Sequence, residues 1–359
     1  MAAKAVVAMS GGVDSSVAAA VMAREGFETV GVTLKLLGRA ETGFGCCGSP
    51  ADIEDAKRVC EQIGIPHYTL DMAQLFEDAV VRPFIDSYLH ARTPNPCVEC
   101  NRSVKFGALL GLAEAWGAQI LATGHYARVF EGKLYRAADR DKDQSYFLYS
   151  LGPRELSRVR FPLGELSKAQ VRVLARALGL KTADKPESQE ICFVPRKDYR
   201  SFLTARAPEG TVAAFTPGPI RDSAGRALGS HRGLASYTVG QRKGLGLAGG
   251  EPLYVLDIDA PTNTLVVGRD EEARFSSFVA GGLSWTAGAP SHGRGFLARI
   301  RHRHEPAPAS IESLSEKEVL IRLEQPQRAV TPGQAAVFYR GDEVIGGGTI
   351  LKSHRHSEA

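Results

Sequence analysis

The first 200 residues alternate short apolar runs with longer stretches in which apolar residues recur every three or four positions. Residues 4–9 form an unbroken apolar run, typical of a strand buried on both faces of a parallel sheet, and the alanine-rich residues 15–25 predict a helix closed by Gly26. The same patterns predict strands at 29–34, 67–70 and 119–123 and helices at 53–63, 75–89 and 104–116. This order predicts an α/β domain with a doubly wound parallel sheet, whose ligands bind at the C-terminal ends of the strands.

The pattern changes after about residue 205, where the long helical periods disappear. Short apolar runs lie between Gly- and Pro-rich turns at 253–258, 264–267, 296–301, 319–323, 335–339 and 344–351. Such spacing predicts a mostly β region that contains a small barrel. We therefore expect an α/β domain at 1–204, a β-rich central module at 205–272, a C-terminal β-barrel at 273–352 and a polar tail at 353–359.

The composition is that of a globular protein without membrane spans. The 359 residues are 43% hydrophobic and 23% charged, and no apolar run is long enough to cross a bilayer. A cytoplasmic protein with no membrane partner is the simplest interpretation. The formal net charge of +4 permits a nucleic-acid partner without arguing for one.

The loop Met9-Ser-Gly-Gly-Val-Asp-Ser-Ser16 lies between the first predicted strand and the first predicted helix. Free backbone N–H groups and the helix dipole attract an anion at such a junction, and two glycines let the main chain approach it closely. A Walker A loop would place Gly-Lys-Ser/Thr here, so γ-phosphoryl transfer is not expected. Serine hydroxyls can donate to phosphate, and Asp14 can hold Mg²⁺. An ordinary glycine-rich turn that caps a helix is the alternative.

The cysteines add a second kind of chemistry. There are six, at positions 46, 47, 60, 97, 100 and 192, and a structural disulfide framework is not expected in a cytosolic chain. Cys97-Val-Glu-Cys100 follows Thr93-Pro-Asn-Pro96, which predicts a rigid loop rather than a helix. A zinc site is disfavoured because no second CxxC or suitably spaced His pair accompanies it. Cys60, within an amphipathic helix, is expected to be a buried core thiol.

Several segments together resemble a known family. Ser10-Gly-Gly-Val-Asp-Ser15 is similar to the PP-loop of ATP pyrophosphatases, which release pyrophosphate and leave AMP on the substrate. Further segments follow in the family's order: TPNPCVECNR at 93–102, ATGHY at 122–126, DKDQSYF at 141–147, KPESQEIC at 185–192 and YTVGQRK at 237–243. The chain resembles tRNA 2-thiouridylases of the MnmA type, with a PP-loop fold of the adenine nucleotide hydrolase kind.

The resemblance implies ATP-dependent 2-thiolation of the wobble uridine, position 34, of tRNA. The C2 oxygen would attack the α-phosphate, so the loop must hold the departing pyrophosphate and needs no lysine directed at the γ-phosphate. Cys192 would carry a persulfide received from a donor protein, either a cysteine desulfurase or a relay protein, with Cys100 as its catalytic partner. Either Cys100 releases hydrosulfide and closes a disulfide with Cys192, or the persulfide attacks the base directly.

The resemblance also implies binding residues. ATP would contact Ala8, Met9, Ser10, Gly11, Gly12, Val13, Asp14, Ser15, Leu34 and Gly124. The target base would contact Asn95, Pro96 and Cys97, and the rest of the tRNA would contact His125, Lys142, Asp143, Gln144, Arg301, His302 and Gln334. From spacing alone, Arg299, Arg301 and Arg303 share one face of a predicted strand, which suits phosphate binding.

One departure from the family opens an alternative carrier for the sulfur. Well-known members have Asp where this chain has Cys97. With Cys100 and Cys192 it would supply three thiolates for a [4Fe–4S] cluster that binds inorganic sulfur, which changes the carrier but not the product.

Two other function classes are compatible with parts of the chain. A PP-loop amidotransferase or small-molecule ligase would share the first 40 residues but would not need Cys100 and Cys192. A non-catalytic, nucleotide-sensing RNA-binding protein would explain the β half, and it predicts no tRNA-dependent release of pyrophosphate.

Overall fold

The computed structural model describes residues 2–37, 48–187, 191–194, 198–208, 211–247, 251–286, 288–290 and 295–355. Cys46, Cys47 and residues 188–190 of the cysteine-containing segment lie outside these ranges. The described residues belong to two compact units. One is built from Met1–Val81, Pro96–Lys197 and Asp342–Val344, and the other from Arg82–Asn95, Asp198–Gly341 and Ile345–Ala359.

Strands and helices alternate up to about residue 206. The elements are β1 (Lys4–Ala8), α1 (Val13–Arg24), β2 (Glu28–Lys35), α2 (Pro50–Ile63), β3 (His67–Asp71), α3 (Ala73–Phe76), α4 (Arg82–Leu89), α5 (Pro96–Glu99), α6 (Leu110–Ala115), β4 (Ile120–Thr123), β5 (Ala127–Phe130), β6 (Lys133–Arg136), α7 (Pro153–Leu156), β7 (Val159–Arg160), α8 (Lys168–Ala177) and α9 (Tyr199–Arg206). Two π-helical segments, Glu77–Val81 and Cys100–Leu109, and a 3₁₀ turn, Ser145–Phe147, lie between them.

The first unit contains a parallel sheet in the order β3-β2-β1-β4-β7. Ala8 at the end of β1 lies opposite Val32 of β2 and Thr123 of β4. The loops that follow these strands therefore meet at one edge of the sheet, and the predicted α/β fold is confirmed. Helices α1, α2 and α8 supply the apolar residues that pack on β1 and β4.

Residues 93–95 form a loop as predicted, but the CxxC that follows is helical, so the prediction that it is not in a helix is wrong. Cys97 lies in α5, and Cys100 begins the π-helical segment that follows. Pro96 is the first residue of α5, a position that lacks an intrahelical acceptor for its N–H and therefore tolerates proline. The proline that argued for a loop is instead compatible with the start of a helix.

The β half contains 3₁₀ turns at Val212–Phe215 and Leu234–Ser236 and the strands β8 (Gly218–Asp222), β9 (Ala227–His231), β10 (Tyr254–Asp259), β11 (Thr264–Gly268), β12 (Arg274–Trp285), β13 (Phe296–Arg299), β14 (Ala307–Leu314), β15 (Glu318–Arg328), β16 (Ala335–Arg340) and β17 (Glu343–Arg355). One sheet has the order β10-β11-β8-β9. The other runs β12-β15-β14-β13-β16-β17 and closes through pairing of β12 with β17. The predicted β-rich module and barrel are confirmed.

The predicted arginine face of one strand is wrong. Strand β13 ends at Arg299, which is buried and donates hydrogen bonds to the carbonyl oxygens of His302 and His304. These bonds turn the chain, so Arg301 and Arg303 lie in a turn rather than on a strand. Strand β17 also continues to Arg355, into the segment expected to be a polar tail.

Within the described residues, no helix combines the length and the apolar character needed to span a bilayer.

The barrel core gives a test of the fold. Replacing Phe338 by Ala is expected to lower the free energy of unfolding by about 3–5 kcal/mol, because the fully buried ring packs between Trp285 and Phe296. Urea denaturation followed by tryptophan fluorescence in a Trp116→Phe background, where Trp285 is the remaining tryptophan, measures this loss. Leu351→Ala, at a 37% exposed side chain of β17, should cost less than about 1 kcal/mol. Equal losses in the two variants would contradict the assigned core.

Candidate active site

The PP-loop lies at the C-terminal edge of the parallel sheet and needs its first glycine. Gly11 has φ +72°, and a Cβ there would collide with the carbonyl oxygen of Asp52 in α2. Gly124, after β4, packs against the same loop, because an added Cβ would lie 2.7 Å from the Ser15 backbone nitrogen. Neither position has room for a Cβ atom, so both require glycine.

The hydroxyl groups of the loop fold back onto the loop itself. Helix α1 begins at Val13 after Gly12, and no side chain caps it. The hydroxyls of Ser15 and Ser16 donate to the Gly12 carbonyl oxygen at 3.1 and 2.8 Å, and the helix begins two residues earlier than the predicted start at residue 15. The backbone N–H groups at the start of α1 have no capping side chain, as an anion site at a helix N-terminus requires.

A cavity of ≈ 310 Å³ opens between the PP-loop and the neighbouring strand ends. Its wall contains nearly all the residues expected to bind ATP: Ala8, Met9, Ser10, Gly12, Val13, Asp14, Ser15, Leu34 and Gly124. Gly11 lies behind this wall, where its carbonyl oxygen accepts a hydrogen bond from Lys185 at 2.9 Å. The structure thus gathers these residues around one space.

Positive charge in this cavity comes from outside the PP-loop. The described wall includes four lysines: Lys105, Lys142, Lys168 and Lys185. Lys168 is the first residue of α8, and its ammonium contacts both carboxylate oxygens of Asp14 at 2.8 Å. The loop lacks a lysine of its own, and α8 supplies one from 154 positions away in sequence. Sequence reasoning missed Lys168, and its only local signal is the capping box Ser167-Lys-Ala-Gln170.

Asp14 is already engaged. Besides Lys168, its Oδ1 accepts a hydrogen bond from the Tyr126 hydroxyl at 2.8 Å. Burial and the neighbouring Asp14 carboxylate raise the pKa of Tyr126 above its ordinary value, so this hydroxyl stays a donor. The carboxylate expected to hold Mg²⁺ is therefore neutralised by a lysine in this structure.

Two further ion-pair groups connect the cavity to residues 185–187. Lys185 donates to Asp52 and Asp55 of α2 at 2.8 and 2.6 Å, and these bonds raise its pKa although burial alone would lower it. Glu187 pairs with Lys142 at 2.8 Å and with Lys168 at 2.7 Å. Every charge in this part of the wall thus has an opposite partner.

Three residues expected to contact tRNA line the cavity: His125, Lys142 and Gln144. The His125 ring packs against Phe106 and Phe161, and its Nδ1 lies 2.7 Å from the Thr123 hydroxyl. Burial and the positive charge of Lys105 hold the pKa of His125 well below its usual range. His125 is therefore a neutral imidazole at physiological pH.

The side chain of Asp143, which was expected to contact tRNA, forms hydrogen bonds within the protein. Its side chain is buried, and the carboxylate pairs with Arg136 and accepts hydrogen bonds from the Ala137 and Ser145 amides. Asp143 therefore holds the turn that carries Lys142 and places that ammonium on the cavity.

The thiols lie near the same cavity. Cys97 is exposed, yet desolvation by the surrounding protein, together with the neighbouring Cys192, raises its pKa to about 11 against the lowering effect of Lys105. Cys100 is buried and Cys192 is half-buried. The structure thus brings Cys192 within electrostatic reach of the CxxC helix. Cys60 is a core thiol as predicted, and burial raises its pKa to about 12.

Among the described residues, the cysteines are not part of a metal-ligand group. Across the described ranges, which include Cys97, Cys100 and Cys192, no three His, Cys, Asp or Glu side chains are gathered closely enough to hold a metal ion. The arrangement therefore does not fit the three-thiolate [4Fe–4S] site.

Other predicted contact residues lie in the second unit. The Gln334 side-chain amide donates to the carbonyl oxygens of Thr93 and Pro94 at 2.9 and 3.1 Å, and the Thr93 amide donates to the Pro332 carbonyl oxygen. Gln334 thus fastens the two residues that precede the half-buried Asn95 in the chain. In the turn after β13, Arg301 is exposed and His302 is half-buried.

Three family models match the chain. They are described as the tRNA methyl transferase HUP domain at residues 3–196, the tRNA methyl transferase PRC-barrel domain at 210–269 and the aminomethyltransferase beta-barrel domain at 275–350.

Full-length relatives are similar over almost the whole chain. Three examples, each named tRNA-specific 2-thiouridylase MnmA, come from different bacteria. The protein of Carboxydothermus hydrogenoformans is 49% identical and covers 97% of this chain and 98% of its own length. That of Chloroflexus aurantiacus is 48% identical, covering 98% and 99%, and that of Geobacter metallireducens is 46% identical, covering 96% of both.

The environment of Cys97 predicts how fast it is alkylated. Since only the thiolate reacts, a pKa of about 11 leaves about a thousandth of the thiol reactive at pH 8. The iodoacetamide rate at Cys97, followed by peptide mass spectrometry, should rise about tenfold per pH unit from pH 8 to 10. Cys192→Ser should lower this pKa and speed the reaction, whereas Lys105→Met should slow it. A rate that levels off by pH 9, or that neither variant changes, contradicts the assigned environment.

Proposed function

Because this chain belongs to the tRNA-specific 2-thiouridylase family, we propose that its cavity binds ATP and that the neighbouring cysteines deliver sulfur to the activated uridine. The chain is a tRNA-uridine 2-sulfurtransferase that uses ATP. Two of its family models carry the label of methyl transfer, whereas its relatives are named for thiolation. Cysteines beside a cavity suited to an anion favour thiolation, because thiolation needs both a sulfur carrier and a nucleotide.

The observation that carries this proposal is the position of Lys105. Its side chain lines the cavity, donates to Asn101 at 3.1 Å, and lies close enough to Cys97 to influence the thiol's pKa. Lys105 therefore lines the proposed nucleotide cavity and also lies near the Cys97 thiol. A base bound between them would meet the α-phosphate on one side and sulfur on the other.

The first step is adenylation. The uridine C2 oxygen attacks the α-phosphorus of ATP, the bond from that phosphorus to the bridging oxygen breaks, and pyrophosphate leaves. The PP-loop amides would bind the departing pyrophosphate, together with Lys142, Lys168 and Lys185. We propose that Mg²⁺ arrives on the ATP phosphates, since both Asp14 oxygens already accept hydrogen bonds from Lys168.

The second step replaces AMP by sulfur. A persulfide on Cys192, received from a donor protein, carries the sulfur. Either Cys100 attacks the Cys192 sulfur and expels hydrosulfide, which attacks C2, or the terminal persulfide sulfur attacks C2 first and Cys100 then frees the thiouridine. Both routes expel AMP and leave a Cys100–Cys192 disulfide, which an external thiol must reduce.

Contacts to the RNA complete the proposal. Asn95, Pro96 and Cys97 would contact the target base, with the Cys97 thiol neutral at physiological pH because of its raised pKa. Arg301 and His302 would contact tRNA from their turn. Gln334 would act by fastening the residues that precede Asn95 as well as by touching the RNA.

Thiolation of unmodified tRNA tests this function. Protein, ATP, Mg²⁺, tRNA, and cysteine with a cysteine desulfurase should yield 2-thiouridine by nucleoside mass spectrometry, and Cys100→Ser and Cys192→Ser should abolish it. Cys60→Ala is the matched control and should retain activity, because Cys60 is fully buried in the core.

Two results would contradict the proposed roles. One is thiolation by either serine variant at the rate of the unaltered protein. The other is product that forms only with a brown, iron-loaded sample that also requires Cys97, since this outcome would make the three cysteines cluster ligands.

A further inference from the structure

Three of the four cavity lysines lie around the PP-loop. Lys168 donates to a carboxylate of the loop at 2.8 Å, and Lys185 donates to a carbonyl oxygen of the loop at 2.9 Å. Lys142 contacts Glu187, which also contacts Lys168. These three ammonium groups, the PP-loop lysines, therefore surround the place where pyrophosphate binds in the proposed function.

The fourth lysine, Lys105, reaches the same cavity from the helix that carries the CxxC cysteines. Cys97, Asn101 and Lys105 are spaced by four residues, so they lie along one face of this helix. The Lys105 ammonium donates to the Asn101 side-chain oxygen at 3.1 Å, and its charge acts on the Cys97 thiol. Lys105 thus places a cation where the cavity meets the thiols.

Buried contacts fix the position of the Lys105 ammonium. Asn101 is 1% exposed, and its side-chain amide also donates to the Phe147 carbonyl oxygen at 3.0 Å. Phe106, the next residue of the helix, is buried and packs against the His125 ring. A cation that is held in place in this way can stabilise developing charge without reorganising during the reaction.

The two groups of lysines correspond to the two parts of ATP that the reaction separates. With pyrophosphate bound by the PP-loop lysines, the α-phosphate is the next group along the nucleotide, toward the cysteines. The α-phosphate is also the phosphate that takes part in both steps, because it is attacked in the first and leaves as AMP in the second. A cation beside it can therefore act twice.

We propose that Lys105 is a catalytic residue that binds an α-phosphate oxygen during both adenylation and sulfur transfer. In adenylation the uridine C2 oxygen bonds to the α-phosphorus, pyrophosphate leaves and the N3 proton passes to water. In sulfur transfer by hydrosulfide, sulfur bonds to C2, the bond from C2 to the phosphate-bearing oxygen breaks, and the hydrosulfide proton moves to N3. The departing AMP gains a second negative charge, which the ammonium stabilises. This role rests on the proposed adenylation.

Single-turnover kinetics in a Cys192→Ser background separate the two steps. With [α-³²P]ATP, Mg²⁺ and saturating unmodified tRNA, release of pyrophosphate measures adenylation, and added sulfide then releases labelled AMP from the RNA. Lys105→Met keeps the length of the side chain and removes its charge, so it should slow both releases about a hundredfold. Hydrolysis of the adenylated tRNA without sulfide expels the same AMP and measures the second step independently.

Three further variants serve as controls. Lys142→Met, at a PP-loop lysine, should slow release of pyrophosphate but not of AMP, because pyrophosphate has left before the second step. Lys57→Met, at a 57% exposed side chain of α2, should change neither rate. Lys105→Arg keeps a cation at the position and should recover about tenfold of each loss.

Each other outcome overturns the assignment. A loss confined to AMP release would place Lys105 in the thiol chemistry, and a loss confined to pyrophosphate release would make it a fourth lysine for pyrophosphate. Unchanged rates would exclude any catalytic role, and an Arg variant as slow as Lys105→Met would show that packing, not charge, was lost. If the Cys192→Ser protein with Lys105 intact released no pyrophosphate, the proposed adenylation itself would fail, which is distinct from these results.

Discussion

The site depends on keeping several lysines charged around one small cavity at the edge of the parallel sheet. A buried ammonium is costly unless an opposite charge and hydrogen bonds compensate it. Lys168 is matched by Asp14 and Glu187, and Lys185 by two aspartates of α2. These carboxylates stabilise the charged lysines. They also occupy the N–H donors to which phosphate oxygens would bind. In the proposed function, a phosphate that binds to these lysines therefore replaces a carboxylate.

The lysines of the cavity also explain why the PP-loop needs no lysine of its own. A PP-loop that holds departing pyrophosphate needs cations around it, but they need not lie in the loop. Here α8 and the stretches around residues 142 and 185 bring them from distant parts of the chain. In sequence, Lys185 and Glu187 precede Cys192, the residue proposed to carry sulfur, by seven and five positions.

The sequence predicted what local patterns encode, namely the parallel sheet, the PP-loop, the barrel and the core position of Cys60. It could not predict Lys168, since no local pattern indicates contact with Asp14 across 154 positions. The CxxC helix was missed because Pro96 suits both a loop and a first helical turn. The predicted strand face of alternating arginines was wrong because Arg299 donates hydrogen bonds to backbone carbonyl oxygens of the following turn.

The central claim is that the cavity activates the uridine before the cysteines act. The most direct measurement is single-turnover mixing of the Cys192→Ser protein with [α-³²P]ATP, Mg²⁺ and unmodified tRNA, following label on the RNA and release of pyrophosphate. We expect stoichiometric pyrophosphate and labelled, adenylated tRNA without 2-thiouridine. Release of inorganic phosphate instead, or no tRNA-dependent label, would contradict it.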